Sequence, residues 1–139
     1  MKRLTKALIS LTAAAVIALS IGAPVSAGWI KQNNGSWSYY DSSNRKATGW
    51  LQLQNTWYYL NPDGLMATGW KQTNGTWYYL SNSGAMKTGW LYTNSKWYYL
   101  NEDGWMLKNA NTPDGYHVDA NGVWDGDAAT ESESEEAAE

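Results

Sequence analysis

The sequence predicts an all-β chain built as an array of stacked β-hairpins, about five of them, closed by a C-terminal cap. Three observations carry this. Gly-Trp pairs recur at 28/29, 49/50, 69/70 and 89/90. A second Trp leads the Tyr-rich runs "WSYY" (Trp37) and "WYYL" (Trp57, Trp77 and Trp97). Turn residues stand between the two Trps of each unit, and the whole pattern returns about every 20 residues, the mark of units that bury a face against their neighbours.

The first element is a leader. Lys2, Arg3 and Lys6 precede the apolar run "ALISLTAAAVIALSIG", and "VSA" (Val25 to Ala27) offers small residues for cleavage. Residues 1–27 read as a secretory signal peptide, with Gly28 as the first mature residue. The run is shorter than the roughly 20 residues needed to cross a bilayer, so no membrane span is expected after cleavage. The chain has no Cys, so a small exported domain must be held by something other than disulfides, and its 10 Trp and 10 Tyr are the obvious means.

Hairpins are expected near 29–40, 49–60, 69–80, 89–100 and 116–124, within an array spanning residues 28–124. In "WKQTNGTWYY", Asn74-Gly75 suits a two-residue turn whose central positions need positive φ. Centring the turn there sets Trp70 opposite Tyr79 and Gln72 opposite Trp77. Alternation then places Trp70, Gln72, Trp77 and Tyr79 on one face. The same construction holds about Gln54-Asn55 and about Asn94-Ser95. In the first unit a three-residue loop, Asn33-Asn34-Gly35, absorbs one extra residue and restores Trp29 opposite Tyr39, with Trp37 on the same face.

Between hairpins, "NPDGLMA", "SNSGAMK" and "NEDGWML" each place Met two residues after Gly, at Met66, Met86 and Met106. The first connector, "DSSNRKA", has neither the Gly nor the Met, which predicts a differently built boundary. "YHVDANGVW" supplies the cap. Residues 125–139 are acidic, without an aromatic or branched aliphatic side chain, and read as a solvated disordered tail. The stretch between leader and tail is close to neutral, which argues against a nucleic-acid surface.

The pattern Gly-Trp, a short turn, Trp-Tyr-Tyr-Leu and then a Gly-x-Met connector resembles the choline-binding, or cell-wall-binding, repeat of Gram-positive surface proteins and lytic enzymes. The resemblance covers Gly28 to about Trp124. It implies a β-solenoid of stacked hairpins in which choline from teichoic or lipoteichoic acid sits in aromatic boxes between consecutive hairpins. Carried over residue by residue, the first box is Trp29, Trp37 and Tyr59. The second is Trp50, Trp57 and Tyr79 with Met66, and the third is Trp70, Trp77 and Tyr99 with Met86. A fourth begins with Trp90 and Trp97, for which Tyr116, Trp105 and Met106 are the available walls.

Physical chemistry supports such a face independently. A trimethylammonium group donates no hydrogen bond and is held by aromatic faces whose quadrupoles attract it. Trp and Tyr at period two are ordinarily packing residues. Here Leu51, Leu53, Tyr58 and Leu60 already supply a core side in the second unit, which leaves the Trp-Trp-Tyr face for a ligand. Gln52 and Gln72 on that face keep a carbohydrate, such as a glucan, open as the alternative ligand. No cofactor or metal is implied, since His117 has no second His or Cys to share an ion. Lytic enzymes of the family join such repeats to a separate catalytic domain, for which the chain ahead of Trp29 leaves no room. The expectation is a non-catalytic, secreted and wall-associated binding module.

Overall fold

The computed structural model describes residues 26–128, and every regular element among them is a strand. In order these are β1 (Gly28–Lys31), β2 (Trp37–Tyr40), β3 (Gly49–Leu53), β4 (Thr56–Leu60), β5 (Gly69–Thr73), β6 (Thr76–Leu80), β7 (Gly89–Thr93), β8 (Lys96–Leu100), β9 (Ala110–Asn111), β10 (Tyr116–Val118) and β11 (Trp124–Ala128). Residues 1–25 of the expected leader, and the acidic tail beyond Ala128, lie outside the described residues. No helix of the described residues is long and apolar enough to cross a membrane.

Local turn chemistry fixes the hairpin register. Trp50 faces Tyr59 and Gln52 faces Trp57 across β3 and β4, and Trp90 faces Tyr99 and Tyr92 faces Trp97 across β7 and β8. The tight turns hold Gln54, Asn74, Gly75, Asn94 and Ser95 at positive φ, the backbone that two-residue hairpin loops require. In the first hairpin Trp29 faces Tyr39 and Lys31 faces Trp37. Its loop is the three-residue one expected: Gly35 N donates to Gln32 O at 2.9 Å, Gln32 N donates to Ser36 O at 2.7 Å, and Gly35 has φ +84°.

The described residues divide into two compact units, one of residues 26–71 with Leu80–Met86, the other of Gln72–Tyr79 with residues 87–128. In the first unit the connectors tie hairpins together by a repeated bond. Leu60 bridges Met66 and Leu80 bridges Met86. Met66 N then donates to Trp37 O at 2.7 Å and Met86 N to Trp57 O at 2.8 Å. Each connector is thus hydrogen-bonded to the hairpin one step back, which is how stacked repeats propagate.

The first connector follows the same plan, contrary to the sequence expectation. Tyr40 bridges Lys46 as Leu60 bridges Met66. Asn44 takes the positive φ, +58°, that Gly64 and Gly84 take in the later connectors, at +78° and +83°. Asparagine tolerates this region because its short polar side chain costs little there. Lys46 does the work of Met: its stem lies where a Cβ on Gly64 would stand, and its Nζ donates to Asp63 O at 3.0 Å. In the next step Met66 Sδ occupies the corresponding place over Gly84.

Burial also revises the assignment of faces. Tyr39, Leu51 and Leu60 form the core cluster of the first unit, with Trp29, Tyr58 and Met66 packed against it. The Trp29 ring meets Tyr39 at 5.3 Å and Tyr58 at 5.0 Å, both edge-on. The aromatic face of the first hairpin therefore packs on the Leu51–Tyr58 face of the second, and the two faces are not divided into one for ligand and one for core. The reason is geometric: in a stack each hairpin presents one face to each neighbour.

In the second unit Leu100 and Val118 are fully buried, and Tyr78 and Leu91 nearly so. The Trp105 side chain is hydrogen-bonded to Tyr78, and burial pushes that phenol above its usual range. The cap is larger than the hairpin expected near 116–124. It is a three-stranded sheet in the order β11-β10-β9, with His117 facing Asn111, Val118 facing Trp124 and Tyr116 facing Ala128. A Tyr98–Val123 bridge joins it to β8. Ordered chain consequently continues past Trp124, where the sequence reading began the tail. Asp125 lies in β11 and pairs with His117 Nδ1 at 2.5 Å.

Candidate ligand-binding site

The two-residue turns set a Trp on each strand of a hairpin, staggered by one pair of residues, so that the rings approach edge to face. Trp50 and Trp57 lie 6.2 Å apart at 89°, and Trp90 and Trp97 lie 6.2 Å apart at 88°. The Tyr opposite the first Trp completes the set, with Trp50–Tyr59 at 5.1 Å and 77° and Trp90–Tyr99 at 5.2 Å and 78°. Edge-on pairs contribute about 0.5–1.5 kcal/mol each beyond their buried area, and they leave ring faces open.

The sequence-derived boxes fare differently. In the first, Trp29 is half-buried and packed against the core, Trp37 is 39% exposed, and Tyr59 lies against Trp50. The Lys71 ammonium also sits 5.0 Å from the Tyr59 ring centroid while donating to Asn61 Oδ1 at 2.9 Å. In the second, Trp50 and Trp57 are together in the first unit with Met66, whose sulfur is engaged by Gly84; Tyr79 belongs to the second unit. In the third, Trp70 and Met86 belong to the first unit and Trp77 and Tyr99 to the second.

The fourth box is the best defined, and it is built within one unit. Trp90, Trp97, Asp114, Tyr116 and Trp124 line a cavity of about 420 Å³, within the usual range for small-ligand pockets. Trp90 forms one wall, with Tyr116 at 5.8 Å, and Tyr116 in turn meets Trp124 at 6.0 Å. Tyr92 adds a fifth ring on the Trp97 side, 5.0 Å away at 45°. Of the walls proposed from sequence, Tyr116 is present. Trp105 is turned to Tyr78 instead, and Met106 reaches toward Gly122.

Two residues of this cavity escaped sequence reasoning, Trp124 and Asp114. The Asp114 carboxylate accepts the Trp90 indole N–H at 2.8 Å through Oδ2, and Thr112 Oγ1 lies 2.6 Å from Oδ1. The Thr112 hydroxyl, then the Trp90 indole, hold this carboxyl below its usual range. The available signal was the turn "TPDG", which fixes Asp114 beside the cavity, and a final Trp at the end of the repeats. Among the described residues no group of three or more His, Cys, Asp or Glu is placed to hold a metal ion.

Comparison with known proteins places this geometry. The family model for the choline-binding repeat matches residues 47–88 and 67–110, and a model for a cell wall binding repeat matches residues 27–43. Among solved structures the chain is similar to choline binding protein F from Streptococcus pneumoniae, at 46% identity and a TM-score of 0.65, over 71% of this chain and 33% of that one. The same protein crystallised in the presence of a peptidoglycan analogue, a tetrasaccharide-pentapeptide, matches at 48% identity and 0.65, over 71% and 33%. The choline binding domain of Spr1274 from Streptococcus pneumoniae matches at 49% identity and 0.53, over 56% of this chain and 94% of that domain. The chain spans about a third of the length of choline binding protein F. No curated protein sequence matches it significantly. With paired tryptophans on stacked hairpins, and with nearly all of a choline binding domain matched at close to half identity, the chain belongs to the choline-binding repeat family.

Proposed function

We propose that the array is a non-catalytic, exported cell-wall-binding module that holds choline groups of teichoic or lipoteichoic acid in aromatic cages. The observation that carries this reading is the paired-tryptophan edge contact, reproduced at 6.2 Å in hairpins two and four. Such a pair turns two electron-rich faces toward one point, which suits a cation that cannot be hydrogen-bonded. The cages proposed are the one at Trp29, Trp37 and Tyr59, the one at Trp50 and Trp57, and the cap cavity at Trp90 and Trp97. Met66 is assigned to the stacking of the connectors, its sulfur lying beside Gly84, and Met86 stands beside the third pair of tryptophans in the sequence. The relatives named for choline binding support the choice of ligand.

Each ring contributes about 0.5–2 kcal/mol to a bound ammonium, so three rings contribute at most about 6 kcal/mol and give a site no tighter than about tens of micromolar. Several such sites along one polymer raise the effective affinity about 10²–10⁴-fold through local concentration. The test is retention of the protein on a choline-bearing resin and its release by free choline. Flow-through, or release by glucan oligosaccharides with choline inert, refutes the reading and favours the sugar alternative. Trp57→Ala should elute at lower choline than the parent.

A further inference from the structure

The cap cavity differs in kind from the Trp-Trp-Tyr boxes because its wall includes a carboxylate. The turn after β9 places it: Gly115 N donates to Thr112 O at 3.0 Å and Thr112 N to Tyr116 O at 2.7 Å. Thr112 is itself buried, at 4% exposure, and its Oγ1 accepts the Tyr116 N–H at 3.0 Å. This leaves Asp114 fixed at both oxygens, by the turn through Thr112 and by β7 through the Trp90 indole. An ionised carboxylate has about four acceptor positions; Thr112, the Trp90 indole and the Asp114 backbone N–H take three of them, so about one remains for a ligand. Asp114 is the one carboxylate among the residues that line the cavity.

An all-aromatic cage and a cage with a carboxylate rank ammonium ions differently. The aromatic faces reward methyl groups and charge. The carboxylate rewards charge too, but it rewards an N–H far more, because a charge-assisted N–H···O bond closes to about 2.8 Å whereas a methyl group keeps nitrogen and oxygen well beyond that. We infer that Asp114 is a specificity-determining residue that makes the cap cavity a site for protonated amines retaining an N–H, ranked there above their fully methylated counterparts. The inference rests on the reading of the array as an ammonium-binding module and adds to it a second ligand class at one site.

The Trp90 indole N–H donates to Asp114, so its own NMR resonance, assigned by its loss in Trp90→Phe, reads this cavity separately from the others. The full chain is titrated with choline and with N,N-dimethylethanolamine, which differ by one methyl group in place of one N–H. At Trp90 the amine with the N–H should half-saturate at a lower concentration than choline. At the indole signals of the other tryptophans the order should be equal or reversed. Asp114→Asn should raise the half-saturation for N,N-dimethylethanolamine about tenfold and that for choline less than threefold, and Asp114→Glu should restore part of the preference. If Asp114→Asn disrupts the cap, the parent titrated from pH 6 to pH 3 serves instead, with the preference fading as the carboxylate protonates. Equal changes for both ligands, or a preference unaffected by both substitution and pH, overturn the inference while leaving choline binding intact. Failure of every indole signal to respond to either ligand overturns the ammonium-binding reading itself.

Discussion

Replacing Gly122 by Ala tests how the cap is locked onto the preceding connector. Gly122 has φ +80°, and a Cβ there would stand 2.9 Å from the Leu107 carbonyl oxygen and 2.8 Å from Met106 Cε. The left-handed backbone costs an L-residue about 1–2 kcal/mol. Forcing a methyl group against a backbone oxygen that cannot rotate away adds about 1–3 kcal/mol. Gly122→Ala should therefore destabilise by about 2–5 kcal/mol. Gly75 is the control: its φ is +77° and an added Cβ meets nothing within 4 Å, so Gly75→Ala should cost only the backbone term of about 1–2 kcal/mol. Gly84→Ala should fall between them, since the atoms it meets belong to the flexible Met66 side chain. Urea unfolding followed by tryptophan fluorescence measures all three. A Gly122→Ala variant no less stable than Gly75→Ala would refute the idea that close backbone approach, and not φ alone, selects glycine here.

Ser95 holds φ +61° in a turn where Asn-Gly is the better pair. Ser95→Gly should raise stability by about 0.5–1 kcal/mol in the same urea assay, and a loss would count against the strain argument. The Asp41 carboxyl is held below its usual range chiefly by the Arg45 backbone N–H, with help from Ser43 and the Arg45 guanidinium, and Asp114 is lowered as described. Both bind protons less readily folded than unfolded, so their contribution is full above about pH 4 and is lost as pH falls through the lowered values. The urea midpoint should be insensitive to both groups above pH 5 and fall on acidification below pH 4, less steeply in Asp41→Asn. A midpoint that rises on acidification through this window would contradict the assignment.

The hairpins were legible because turn chemistry and strand alternation act over a few residues: Asn74-Gly75 and the Trp-Tyr alternation give pairings such as Trp50 with Tyr59 and Gln52 with Trp57. The first connector has neither the Gly nor the Met of the others, whereas the structure needs only a positive φ and a long apolar stem. Asn44 and the methylene chain of Lys46 supply these. The division into a ligand face and a core face failed for a related reason. Whether Trp29 meets a ligand or Tyr58 depends on how one hairpin lies on the next, which no local pattern encodes. Asp114 was invisible because its partner Trp90 is 24 residues away. Likewise, the composition of the acidic end hid the pairing that carries β11 to Ala128.

A crystal structure of the protein with choline tests the central claim most directly. The account predicts trimethylammonium density within about 6 Å of the faces of Trp50 and Trp57, and again in the cavity of Trp90, Trp97, Tyr116 and Trp124. Density for choline only at sites away from the paired tryptophans, or none at saturating concentration, would contradict it.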